Sequence, residues 1–256
     1  MTNHANPPDA APCWADLWTS DVESSRTFYS ELFGWQAGEP SPQFGGYFFF
    51  FTRRGTPVAG AMGDAGGVHA DDTWKLYVAT DDVARTAATA VARGGAVLAP
   101  PAAIADLGSQ AVLADPEGAR IGAWQPGSFR GFAVTGEPGT ACWFELLSGD
   151  PDAAAAFYQA VFGWTAGAAD GGYATLRDPS GGADVAGIAE AAAVLASGEP
   201  ARWTIYWEVD DVRRVATKLQ ALGGALTSEV SATPYGLLAA GMDATGAELR
   251  LRQATP

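Results

Sequence analysis

The nine residues CWADLWTSD at 13–21 resemble CWFELLSGD at 142–150, which lies 129 positions later (142 minus 13). The same offset relates other short segments of the two halves: Phe28–Tyr29 and Phe157–Tyr158, Phe33–Trp35 and Phe162–Trp164, Trp74 and Trp203, Asp81–Val83 and Asp210–Val212, Gly94–Gly95 and Gly223–Gly224. A repeat of this length predicts two homologous domains in tandem. We place them at 13–126 and 141–253.

Two segments lie outside the repeats. Residues 127–140 are rich in Gly and Pro, which predicts a linker with little regular structure. Residues 1–12 lack the charged start and apolar core of a secretory signal, and we expect them to form a short disordered arm. With no run of about 20 apolar residues to span a bilayer, the sequence favours a cytoplasmic protein.

The charge balance excludes two classes of partner. The chain of 256 residues is 48% hydrophobic, as in ordinary globular proteins, but its 29 acidic residues against 15 basic ones give a formal charge of −14. This charge repels phosphate backbones and anionic membrane surfaces. We therefore expect neither nucleic acid nor membrane as a partner, and a small molecule remains the favoured one.

Local patterns predict the same element order in both repeats. In the first, WADLW at 14–18 alternates like a half-buried strand, and Asp21 can cap a helix that ends at Gly34. A second strand and a helix capped by Asp81 follow. Each domain thus contains two strand–helix–strands units, an α+β pattern with curved mixed sheets. The five aromatics at 47–51 are predicted to alternate between core and sheet face, and a ligand-facing aromatic wall is the alternative.

The motif D-x-x-x-S-x-x-FY-x-x-LFGW from Asp21, followed by a DPxG turn at Asp115, resembles the vicinal oxygen chelate superfamily, also called glyoxalase/bleomycin-resistance/extradiol-dioxygenase proteins. The second copy keeps Phe157–Tyr158 but has Asp243–Gly246 as DATG. The tandem form with CW at each repeat start is similar to an actinobacterial subgroup labelled glyoxalase-like or hydroxylase. The resemblance implies tandem glyoxalase-like domains, each of two βαβββ units whose curved mixed sheet surrounds a cup that holds a small molecule.

The resemblance also implies where a divalent metal would bind, on His, His or Gln, and Glu of three strands. In this sequence the six positions hold other residues: Trp14, Lys75 and Gly122 in the first repeat, and Trp143, Thr204 and Arg250 in the second. The two histidines, His4 and His69, lie in the arm and in a glycine-rich loop. We therefore expect neither a metal site nor a cofactor.

Strand alternation predicts which side chains face each cup. In the first repeat these are Trp14, Asp16, Trp18, Lys75, Tyr77, Gly122 and Trp124. Indole and phenol faces suit a flat aromatic ligand, and the glycine leaves room. In the second repeat the same positions hold Trp143, Glu145, Tyr206 and Arg250, so Glu–Arg pairs are expected to fill part of that cup. The cups form within or across repeats, and the sequence leaves both arrangements open.

Three functional hypotheses follow. The leading one is a metal-independent protein that binds an aromatic or polyketide-like compound, in resistance or secondary metabolism. The second is an enzyme, either a lyase, isomerase or cyclase in which Asp16 and Lys75 exchange protons, or a glyoxalase-like activity on a small carbonyl compound. The third is a scaffold without ligand. The tandem supplies its own domain pairing, which favours a monomer, with a weak dimer left open.

Overall fold

Each repeat forms one sheet in the computed structural model, which describes residues 10–63, 72–180, 182–195 and 199–255, the Val194 side chain excepted. His4 and His69 lie outside the described residues. The elements of the first repeat are β1 (Pro12–Thr19), α1 (Val22–Phe33), β2 (Gln36–Ala37), β3 (Phe48–Phe51), β4 (Pro57–Gly63), β5 (Thr73–Ala79), α2 (Val83–Ala92), β6 (Ala96–Ile104), β7 (Gly108–Ala114) and β8 (Arg120–Pro126), with a 3₁₀ turn at Pro42–Phe44.

The second repeat follows the same order. Its elements are β9 (Ala141–Ser148), α3 (Pro151–Phe162), β10 (Thr165–Ala166), β11 (Tyr173–Arg177), β12 (Asp184–Glu190), α4 (Ala192–Leu195), β13 (Arg202–Glu208), α5 (Val212–Ala221), β14 (Ala225–Leu226), β15 (Ser231–Thr233), β16 (Gly236–Met242) and β17 (Glu248–Gln253). Between β8 and β9 the chain contains no helix or strand.

The strand order confirms the α+β architecture of paired βαβββ units. In the part of the chain that is described, the first sheet runs β2-β3-β4-β1-β5-β8-β7-β6 and the second β10-β11-β12-β9-β13-β17-β16-β14, with β15 beside β16. The first strands of the two units pair antiparallel at the centre, while β4 and β8 lie parallel to β1 and β5. Each sheet is therefore built from one repeat, and each cup forms within a repeat.

Aspartate caps begin both helices of the first repeat, with one correction to the predicted positions. The Asp21 carboxylate accepts the Ser24 N–H at 3.0 Å, and Gly34 ends α1 in the left-handed conformation with φ 73°. Helix α2 is capped by Asp82, not by Asp81, because the Asp82 carboxylate is the one that reaches the Arg85 N–H, at 2.9 Å. Asp81 instead forms an ion pair with the Arg85 side chain.

Two equivalent hydrogen-bond chains join the repeats. The Tyr29 hydroxyl accepts the Trp74 indole N–H at 2.9 Å and donates to Asp243 of the second repeat at 2.8 Å. In the reciprocal chain the Tyr158 hydroxyl accepts the N–H of Trp203 at 2.8 Å and donates to Asp115 at 3.0 Å. The FY pair and the D-x-x-G turn of the sequence motif thus bind one another across the repeat interface.

The tryptophans of the two FGW segments attach irregular chain to the repeats. Trp35 donates its indole N–H to the Gly139 carbonyl at 2.7 Å, and Trp164 donates to the Ala10 carbonyl at 2.5 Å. The linker is thereby held against the first repeat, and the segment at Ala10 against the second. Among the described residues no helix is both long and apolar enough to cross a membrane.

Candidate functional site in the first repeat

The concave face of the first sheet encloses a cavity of about 540 Å³. Five of the seven side chains predicted to face this cup line it: Trp14, Asp16, Trp18, Tyr77 and Trp124. They come from β1, β5 and β8, whose register sets Trp14 opposite Tyr77 and Tyr77 beside Gly122. We call this space the first-repeat cavity. Half of its described lining residues are aromatic, and Asp16 is the single carboxylate that the described residues contribute.

Asp16 is the acidic group of this cavity and is only 7% exposed. Its Oδ1 accepts the Trp14 indole N–H at 2.9 Å and the Tyr47 hydroxyl at 2.8 Å. Burial raises the pKa of Asp16, while the Tyr47 hydrogen bond, the Lys75 charge and the other hydrogen bonds act in the opposite direction. A carboxylate held this way can accept a proton from a ligand or return one to it.

Tyr47 and Phe49 are cavity residues, which the sequence left as one of two alternatives. They line the cavity, whereas Phe48 and Phe50 are 1% and 0% exposed and belong to the core. Gly60, which pairs with Asp16 across β1 and β4, makes this possible because a Cβ there would lie 1.8 Å from the Tyr47 oxygen. The aromatic run therefore alternates, with Tyr47 and Phe49 facing the first-repeat cavity and Phe48 and Phe50 facing the core.

Gly122 has a different role from the one expected. A Cβ at this position would lie 2.1 Å from Cδ1 of Tyr77, so the Tyr77 ring occupies the room that the glycine leaves. The Tyr77 ring therefore covers the sheet at Gly122, and no free space is left there. Gly122 shapes the first-repeat cavity by seating Tyr77 and does not line it.

The linker contributes a wall that sequence reasoning missed. Phe129 lies edge-on to Trp14, with ring centroids 4.8 Å apart, and also packs against Phe49 and Trp124. Its carbonyl accepts the Trp124 indole N–H at 3.0 Å. A single aromatic residue in a Gly-rich segment gives no periodic signal. Phe129 is recognised as a lining residue only because the structure shows the linker packed against the first-repeat cavity.

Lys75 lies apart from the first-repeat cavity. It lines a second space of about 390 Å³, the inter-repeat cavity, to which residues 200–203 of the second repeat also contribute. Trp18 lines both cavities, and the Lys75 ammonium lies 4.3 Å from its ring centroid. Asp16 and Lys75, predicted to act together, therefore face different spaces on the two sides of Trp18.

The cup of the second repeat holds a polar cluster. Arg250 donates to Glu145 at 2.7 Å and to the Tyr206 hydroxyl at 2.8 Å, and Tyr206 donates to Glu145 at 3.1 Å. Trp143 donates to the Tyr173 hydroxyl at 2.8 Å. The expected Glu–Arg pair is thus present, with Arg250 at the position where the first repeat has Gly122.

The side chains at the six positions where the family resemblance implies a metal do not fit a divalent cation. In the first repeat an indole, an ammonium and a glycine stand there, and the indole N–H and the ammonium are donors without a lone pair to offer. In the second repeat an indole, a hydroxyl and a guanidinium do so. The described residues contain no group of three or more His, Cys, Asp or Glu side chains able to hold a metal.

Comparison with known proteins agrees with the fold and the repeat. The model of the Glyoxalase/Bleomycin resistance protein/Dioxygenase superfamily matches residues 10–122 and again residues 140–250. The chain belongs to this superfamily. Within the superfamily it is 35% identical over 253 residues to "Putative glyoxylase CFP32" of Mycobacterium tuberculosis, covering 96% of this chain and 95% of that protein. It is 34% identical over 253 residues to "Anthracycline biosynthesis protein DnrV" of Streptomyces peucetius, covering 93% and 90%.

Solved structures of other superfamily members share the fold at low identity. The Mn(II)-bound glyoxalase from Novosphingobium aromaticivorans has a TM-score of 0.64 at 16% identity, with 96% of this chain and 82% of that chain covered. The 2,3-dioxygenase LapB from Pseudomonas sp. KL28 has a TM-score of 0.65 at 11% identity, with 98% and 94% covered. These likenesses establish a common architecture.

Proposed function

We propose that this superfamily member binds an aromatic or polyketide-like compound in the first-repeat cavity, without a metal, in secondary metabolism or resistance. The observation that carries the proposal is the cavity wall, in which the rings of Trp14, Tyr47, Phe49, Trp124 and Phe129 surround about 540 Å³. Flat aromatic ligands stack on or pack edge-on against such rings, which contributes on the order of 1 kcal/mol per ring beyond burial. The likeness to an anthracycline biosynthesis protein supports an aromatic polyketide as the ligand class.

Asp16 gives the cavity its polar specificity. It is the single carboxylate that the described residues contribute to the wall, and the Trp14 N–H and Tyr47 hydroxyl hold it in place. A ligand with a phenolic hydroxyl or a ring carbonyl could form hydrogen bonds with the Asp16 carboxylate and the Tyr47 hydroxyl. Pockets for small molecules have this composition, mostly apolar walls with a few fixed polar groups.

Matched tryptophan variants test this assignment. We expect Trp14→Phe to weaken binding of the planar probe 1,4-dihydroxyanthraquinone about fivefold to tenfold, because one indole face and its N–H are lost. Trp143→Phe, at the equivalent position of the second repeat, should leave the affinity unchanged. Isothermal titration calorimetry measures both.

Phe129→Ala is the companion variant, since it removes a half-buried ring from a segment without helix or strand. It should weaken binding by a similar factor while the melting temperature stays near that of the wild type. Equal affinity in wild type, Trp14→Phe and Phe129→Ala would place the probe elsewhere and reject the proposed site.

An enzymatic role for the same cavity is the second candidate, favoured by the burial of Asp16 and the resulting rise in its pKa. Asp16 then serves as general acid or base on a bound ring system, with Tyr47 as its partner. Lys75 faces another cavity and has no part in this step. All proteins are purified with a chelator before turnover of the bound ring compound is measured. The turnover rate should fall at least 100-fold in Asp16→Asn and should persist in Glu145→Gln. Turnover that needs added divalent metal would contradict the candidate.

A further inference from the structure

We propose that the inter-repeat cavity is a second ligand site, which binds the carboxylate of a small aromatic acid through Lys75. The site is separate from the first-repeat cavity and can bind its ligand whether or not that cavity binds one. Charged side chains line the space between the two repeats.

The lining of the inter-repeat cavity contrasts with the composition of the chain. Three cationic side chains contribute to it, Lys75, Arg120 and Arg202, and no carboxylate among the described residues does. The whole sequence has 29 acidic residues against 15 basic ones. A cationic pocket in so acidic a protein attracts anions that the rest of the surface repels. The charge balance therefore selects an anionic ligand.

Lys75 is the cation of this cavity whose ammonium lacks a hydrogen-bond partner among the described residues. Its side chain lies in a residue only 5% exposed, and its Nζ makes no hydrogen bond to any described residue. The nearest carboxylate across the sheet, Asp16, already accepts hydrogen bonds from Trp14 and Tyr47. A buried ammonium without hydrogen bonds is costly, so an anion that supplies them binds favourably.

The other two cations of the inter-repeat cavity are Arg120 and Arg202. Arg202 is engaged by Glu199 at 3.1 Å and by Glu248 at 2.8 Å, so its charge is partly balanced. Burial lowers the pKa of Lys75 to about 8, against the opposing Asp16 charge, and the Arg120 charge adds a smaller lowering. An anion placed beside Lys75 would raise that pKa again and keep the ammonium charged at neutral pH.

The rest of the wall specifies the body of the ligand. Trp18, Trp74, Leu98, Val112 and Trp203 are apolar or aromatic, and the volume of about 390 Å³ suits a single ring system. A benzoate-like acid places its ring among the indoles and its carboxylate on the Lys75 ammonium. The Trp18 ring that carries the cation–π contact also separates this ligand from the first-repeat cavity.

The test is a calorimetric titration of the full chain with benzoate, and benzamide serves as the neutral control. We expect Lys75→Met to weaken benzoate binding about tenfold or more, because a charge-assisted hydrogen bond is lost, and Lys75→Arg to retain most of it. Benzamide should bind weakly and equally to all three proteins. Benzoate should raise the melting temperature of the wild type but not that of Lys75→Met.

Methionine replaces the ammonium, which makes no hydrogen bond to a described residue, with an apolar chain of similar length, and the melting temperature of each ligand-free variant checks that it folds. The affinity of the wild type for benzoate should also fall between pH 7 and pH 10, because Lys75 loses its proton in this range. The charged neighbours of Lys75 are Asp16, Arg120 and Arg202. The affinity of Lys75→Arg should not change over the same range. Equal benzoate affinity in wild type and Lys75→Met would overturn the proposal. Loss of benzoate binding in Phe129→Ala with retention in Lys75→Met would assign the acid to the first-repeat cavity instead.

Discussion

Arg250→Met is expected to lower the free energy of unfolding by about 3–5 kcal/mol, because it leaves the Glu145 carboxylate buried without its cation. Glu145 is 8% exposed, and Arg250 donates to it at 2.7 Å. Burial raises the pKa of Glu145, and the Arg250 charge is the main influence in the opposite direction. Urea denaturation at pH 7 measures the loss.

The double variant Glu145→Gln with Arg250→Met is the control, since a neutral amide still accepts the Tyr206 hydroxyl, and it should recover most of the stability. The loss in Arg250→Met should also shrink as the pH falls. Without Arg250 the folded-state pKa of Glu145 rises further above its ordinary value of 4.5, so the folded variant takes up a proton before the unfolded chain does. A variant within 1 kcal/mol of wild type would show that Glu145 and Arg250 do not act as a structural pair.

Removing both tyrosine hydroxyls at the repeat interface should have the next largest effect. Tyr29→Phe and Tyr158→Phe each leave a buried indole N–H and a carboxylate oxygen without their shared partner. We expect a cost of about 1–3 kcal/mol for each and about 2–6 kcal/mol for the two together. Chemical denaturation of the two single variants and the double variant measures these values.

Tyr206→Phe is the matched control for the interface, because its hydroxyl bonds Glu145 and Arg250 within the second repeat and no described residue of the first. If the interface chains hold the repeats together, the double interface variant should also separate the unfolding of the two repeats into two transitions. A single transition at wild-type stability would mean that Trp74, Trp203 and the two aspartates find other partners, and that apolar packing alone joins the repeats.

Much of the architecture was accessible from the sequence because it depends on local rules. The duplicated CW segments revealed the tandem, and alternation along 14–18 placed Trp14, Asp16 and Trp18 on one face. Charge complementarity at equivalent positions anticipated the Glu145–Arg250 pair. The helix cap at Asp82 was misplaced by one residue, since two adjacent aspartates offer the same cap and only the backbone path selects one.

The features that the sequence did not reveal depend on contacts between distant segments. Phe129 reaches the cavity because the linker crosses the cup, and no periodic pattern precedes it. Lys75 points to the same face as Asp16, but the Trp18 ring and the approach of residues 200–203 place it in another cavity. The room above Gly122 was predictable, whereas its occupation by the Tyr77 ring followed from side-chain packing alone.

The most direct test of the account is calorimetric titration of EDTA-treated wild-type protein with 1,4-dihydroxyanthraquinone. We expect saturable binding of one molecule per chain, because the first-repeat cavity is open while Glu145, Tyr206 and Arg250 occupy the second cup. The affinity should not change when a divalent cation is restored. No binding at high micromolar probe, two equal sites per chain, or binding that appears only with added metal would contradict it.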